Sequence, residues 1–138
     1  MFLQKALKEN QKLIQAAREL LGAGQIIPDT YMIDYDQFIE NAKANLEQAQ
    51  KHGVGLFFML KQVARIPMIA RKLIEIGYEG AVVVDYKEAL LMMKHQIPIA
   101  NVGHLVQVPK HLLESMVKYG VGIITVYSLE KIYEINQI

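Results

Sequence analysis

Lys61 closes an unbroken apolar run, Leu56 to Leu60, inside the stretch "GVGLFFMLKQVARIP". An amine beside buried apolar strands loses hydration, which disfavours the ammonium form and lowers its pKa. A neutral amine is the nucleophile that condenses with an aldehyde to give a Schiff base. The competing role is structural: the lysine stem packs on the strand while the head reaches water. On spacing alone that structural role is the commoner one. Arg65 carries a fork of donors that suits a phosphate or a carboxylate, and a solvated loop arginine has the same spacing. His104, in "VGHL" beside Gly103, has the chemistry to stack on a flat ring or relay a proton; a structural histidine bonded to a loop carbonyl is the alternative. Asp85 precedes Tyr86 and reads as a site carboxylate or as a helix cap, with the cap favoured. With Lys61, Asp85 and His104, Asp34 and Tyr127 complete a set of five polar residues that each end an apolar stretch. His52, His95 and His111 fall on helices or their ends, and no two histidines have metal-ligand spacing.

Bringing five such ends together requires a particular frame, and the rhythm of the chain predicts one. Strands are expected at "YMID" (31–34), "GLFFMLK" (55–61), "GAVVVD" (80–85), "IANVGH" (99–104) and "GIITVY" (122–127). Each precedes a helical pattern: "FIENAKANLEQAQKHG", "PMIARKLIEIG", "YKEALLMMKHQ", "PKHLLESMVKYG" and "SLEKIYEIN", the last with Ser128 as cap. Pro67 and Pro109 suit a first turn, where a missing N–H costs nothing. Strands that are apolar throughout are usually covered on both faces, as in parallel sheets. The fold class is therefore α/β, with parallel strands alternating with helices in right-handed units. A five-stranded doubly wound sheet and the first part of a (β/α)8 barrel both fit. In either, ligands gather at the C-terminal ends of the strands. Before this part lies a helical segment, 1–27, with Leu3, Ala6 and Leu7 on one face, Leu13, Ile14, Ala17, Leu20 and Leu21 on another, and Asn10 as a cap.

Composition narrows the classes. The 138 residues have the length of about one domain. A formal net charge of +1, with no run of Lys and Arg interleaved with aromatics, favours neither nucleic acid nor an acidic partner. The absence of cysteine removes disulfides, thiol catalysis and thiolate metal sites, and is compatible with the cytoplasm. The N-terminus breaks its apolar residues with Lys and Glu, unlike a signal peptide. No apolar run approaches the roughly 18 residues of a membrane span. The phosphate-loop, dinucleotide and nucleophile-elbow motifs are all missing.

Several segments together resemble a known family. "PDTYMIDYDQFIENAKANL", then a strand ending in lysine, then "KQVARIP", "GAVVVDYKEA", "NVGHLVQVP" and "IITVYSLEK" are similar to the opening of the alanine racemase-like, fold-type III proteins that use pyridoxal phosphate. The resemblance covers 28–138 and is strongest to a poorly characterised amino-acid racemase-like branch, in which the lysine opens "K-Q-x-x-R-x-P" and a later strand ends in "G-H-L". It implies a partial (β/α)8 barrel of about five units over 28–138, with Lys61 as the cofactor lysine and one of two acid–base groups at the substrate α-carbon. Arg65, His104 and Asp85 are the further cofactor-binding candidates. Arg65 stands where alanine racemases carry a tyrosine, so alanine itself is not implied as substrate. The resemblance implies a cytoplasmic isomerase acting on an amino acid as a homo-oligomer, with elimination as an open alternative to racemisation. It also implies that 138 residues are the N-terminal part of a longer enzyme, inactive alone. A non-catalytic pyridoxal-phosphate carrier with the same barrel, and a complete doubly wound binding domain, are the alternatives.

Overall fold

Asn10 divides the leading helical stretch as its side chain dictates. In the computed structural model, α1 runs Phe2–Glu9 and α2 runs Gln11–Gly22, and Asn10 Oδ1 accepts from the Leu13 N–H at 3.0 Å. The structure describes residues 2–138, with side chains from Gln4 onward apart from Ala6. The face expected from Leu3 and Ala6 therefore lies outside the described residues. Asp34 starts α3, Tyr35–Lys51: Oδ1 accepts from the Gln37 N–H at 3.0 Å, and Oδ2 accepts from Asn10 Nδ2 at 2.7 Å. Asp34 is thus a helix cap. The strand expected at 31–34 is not formed. Among the described residues no strand pairs with it, so its backbone groups find no ladder, and Tyr31 is almost wholly exposed. The chain divides into two compact units, Met1–Asn41 and Ala42–Ile138, with the division inside α3.

The second unit holds the other four strands that the sequence predicts. They are β1 (Phe57–Phe58), β2 (Gly80–Val82), β3 (Ile99–Val102) and β4 (Ile123–Ile124). All pair in parallel, in the order β1-β2-β3-β4. The order never reverses, so the described sheet contains no switch point of the doubly wound kind. A helix follows each strand: α4 (Pro67–Ile76), α5 (Tyr86–Lys94), α6 (Lys110–Tyr119) and α7 (Leu129–Asn136). Pro67 sits in the first turn of α4, and Gly77 ends that helix at φ 117°, a left-handed conformation that a residue without Cβ reaches freely.

The ladders are shorter than the apolar runs. Val83 and Val84 are buried yet lie past the end of β2, although the Val83 N–H still donates to the Asn101 carbonyl of β3 at 2.9 Å; the register slips between Ala81 and Val82. Coverage on both faces holds for the inner strands: Ala81 in β2, and Ile99, Ala100 and Val102 in β3, are buried whatever their parity. It fails at the edges, where Phe57 and Ile123 are about half exposed. The core joins helix and sheet through Ile69, Met92, Leu113 and Met116 against Val83 and Val102, all almost inaccessible. Each such burial contributes about 1.5–3 kcal/mol before entropy is counted. Two tyrosines tie joints together: the Tyr78 hydroxyl donates to the Ala42 carbonyl at 3.1 Å, and the Tyr119 hydroxyl to the Ile97 carbonyl at 2.9 Å.

Candidate functional site

The C-terminal ends of β1 to β4 place the polar residues of interest on one edge of the sheet. Lys61 does not end a strand. It is the first residue of a 3-10 turn, Lys61–Val63, just past β1. Its side chain is exposed and makes no hydrogen bond or ion pair among the described residues. The loss of hydration expected of a buried amine is therefore not supplied here; what the fold supplies is an amine without a competing partner. The turn wraps one buried carbonyl: the N–H groups of Val63 and Arg65 both donate to the Leu60 oxygen at 3.0 Å. Ala64 and Arg65 both lie at φ 57°, in the left-handed region, without being glycine. Each such residue costs of order 1–2 kcal/mol and persists only where its surroundings hold it.

Arg65 is not free for a ligand through all its donors. Its Nε lies 3.5 Å from Glu88 Oε2, with the arginine side chain 37% exposed and the glutamate 1%. Asp85 is a helix cap: Oδ1 accepts from the Glu88 N–H at 2.7 Å at the start of α5. Glu88 returns the favour one residue earlier, its Oε2 accepting from the Val84 N–H at 2.9 Å. This is a shifted capping box. Glu88 is the residue that the sequence reading missed, and the spacing Asp85-x-x-Glu88 was the signal for it. Arg65, Asp85, Lys87, Glu88 and Leu91 line a cavity of about 320 Å³.

The ends of β3 and β4 carry a second polar group. Asn101 Nδ2 donates to Thr125 Oγ1 at 3.0 Å, and Gln107 Nε2 donates to the carbonyls of Gly103 and Thr125, the latter at 3.1 Å. Gly103 is at φ 93°, and a Cβ there would overlap the Thr125 carbonyl oxygen. Glycine is what lets these two strand ends approach. The Tyr127 hydroxyl donates to the carbonyl of His104. Asn101 Oδ1 and His104 Nδ1 are buried and have no partner. The polar residue inside "IANV" was a legible signal for Asn101.

The structure therefore brings Arg65, Asp85 and Glu88 together and sets His104 with Asn101, Gln107, Thr125 and Tyr127. Lys61 stands by itself on the turn. What the arrangement offers chemically is an exposed amine on the turn after β1 and, apart from it, two buried polar atoms at the end of β3. Among the described residues no cluster of His, Asp and Glu is arranged to hold a metal ion. None of the helices there is long and apolar enough to cross a membrane.

No family model matches the chain. The chain is similar to the uncharacterized protein YhfX of Escherichia coli (strain K12), with 43% identity over 136 residues. The match takes in 99% of this chain and 35% of YhfX, so the chain spans about a third of the length of the curated relative it matches.

Proposed function

We propose that this chain is the lysine-bearing part of a pyridoxal-phosphate-dependent, amino-acid racemase-like enzyme built on a (β/α)8 barrel, working in the cytoplasm on an amino acid. One observation carries the reading: an exposed amine without a partner, Lys61, on the turn after β1, on the edge where β2, β3 and β4 also end. The unreversed parallel order supports a barrel-type progression over a doubly wound sheet. When bound, pyridoxal phosphate supplies the electron sink that acidifies the α-proton of an amino acid. Lys61 would hold the cofactor through its amine and, when displaced by substrate, exchange a proton at the α-carbon. His104 and Asn101, at the end of β3, each keep a buried polar atom without a partner among the described residues. Asp85 is occupied as a cap, so its part in cofactor binding is indirect. The activity, the substrate and a homo-oligomeric state are proposed for the whole protein.

The test is borohydride reduction of the full-length protein loaded with pyridoxal phosphate, followed by peptide mapping. The expected label is on Lys61 and is lost in Lys61→Ala. Label on another lysine, or none, rejects the assignment. A non-catalytic carrier would give the same label, and incubation with a panel of L-amino acids separates the two: sustained loss of optical rotation excludes the carrier.

A further inference from the structure

The turn that carries Lys61 needs an external hold, and one buried carboxylate provides it. Ala64 and Arg65 sit consecutively in the left-handed region, an arrangement their own side chains do not favour. Backbone bonds from Val63 and Arg65 to the Leu60 carbonyl close the turn, but both end on a single oxygen. The remaining tie is the Arg65 guanidinium on Glu88, 3.5 Å away. Glu88 is the one buried charged residue among the described residues. Burying a carboxylate is unfavourable unless it is paired and hydrogen-bonded. A cap on α5 alone would need only an oxygen, as Asn or Gln supplies, and not a charge. The cation that lies against this carboxylate is Arg65. Glu88 is itself immobile: its backbone N–H is held by Asp85 and its Oε2 by the Val84 N–H. The carboxylate is thus a fixed point, at the start of the helix after β2, against which the turn after β1 is set.

We propose that Glu88 is a positioning residue for Lys61, acting through Arg65 to fix the left-handed turn that determines where the Lys61 amine stands. The importance of that placement rests on the cofactor reading above; the clamp itself does not. The corollary is that Arg65 is not primarily a phosphate ligand, and that the ends of β1 and β2 move as one body.

Three variants decide the point: Glu88→Gln, which keeps an oxygen for Val84 while removing the charge, Arg65→Gln, and the two combined. The first readout is amide hydrogen exchange at Val63 and Arg65, with Val83 as a reference amide. Either single variant should speed exchange at these two positions about threefold, the scale of a partly exposed ion pair. The double variant should match the singles, because both remove one interaction. The second readout is the concentration of pyridoxal phosphate that half-saturates borohydride-trapped labelling of Lys61, which should rise about threefold in all three variants at unchanged urea midpoint. Unchanged exchange in Glu88→Gln, additive effects, or altered exchange with unaltered Lys61 labelling would each overturn the proposal. Wild-type protein that takes no label on Lys61 rejects the cofactor reading instead, and the exchange data then judge the clamp by themselves.

Discussion

Gly103 has less freedom to change than any other residue at the β3 end. It combines a positive φ with a Thr125 carbonyl where a Cβ would go. Gly103→Ala should therefore destabilise the second unit by about 1–3 kcal/mol, read as a lowered urea midpoint. Asp34 makes a different prediction. The Asn10 side-chain amide, then the Gln37 N–H, hold its carboxyl below the usual carboxylate range, with Lys12 adding a little. A carboxyl whose pKa is depressed on folding stabilises above its unfolded value, near pH 4, and loses that contribution as pH falls through the folded value. Asp34→Asn should flatten the acid limb of far-UV circular dichroism between about pH 4 and 2; an unchanged limb would contradict the pairing. At this scale the sequence told which residue types matter more than how they stand. Lys61 and His104 were legible as chemistry at the end of apolar runs. The exposure of Lys61 was not, because it depends on a turn whose left-handed residues, Ala64 and Arg65, carry no glycine or asparagine to announce it. The commitment of Arg65 to Glu88 is a contact between two segments of the second unit, the turn after β1 and the start of α5, that local spacing does not encode.

Helices were easier to read than strands, and the reason is physical. A helix writes its own boundaries: Asn10, Asp85 and Ser128 all cap as their side chains predict, and Gly77 and Gly120 close helices in the left-handed conformation. A strand exists only if a neighbour accepts it. "YMID" has the composition of a strand and no partner, while Val83 and Val84 have the composition and burial of one but fall past a register slip. The cap at α5 gives a clean test of whether Asp85 does more than start a helix. Asp85→Ser should preserve stability to within a few tenths of a kcal/mol, and Asp85→Ala should cost about 1 kcal/mol. If Asp85→Ser also weakened pyridoxal-phosphate labelling of Lys61, the aspartate would have a second role.

For the molecule as a whole, the sheet has open sides. Ile123 on β4 is 52% exposed, and Leu129, Ile132 and Tyr133 on α7 are similarly or more exposed. An unpaired parallel edge beside accessible apolar side chains promotes association. The 138-residue chain by itself should therefore sediment as a concentration-dependent oligomer, and Leu129→Glu with Ile132→Glu should shift it toward monomer; a concentration-independent monomer of the parent chain would contradict this. The alternation of strand and helix made the α/β class and the parallel pairing legible throughout. The count of strands was not, since the first depended on a pairing that the sequence cannot show. The two tyrosine ties have a further consequence, an optical one. Burial raises the phenol pKa of both Tyr78 and Tyr119. Their stabilising effect is complete below the unfolded value, near pH 10, and fades as alkali carries the solution through the folded value. The ultraviolet phenolate absorbance of these two tyrosines should then grow late in an alkaline titration, an intrinsic, label-free reporter of when the joints at Ala42 and Ile97 come undone.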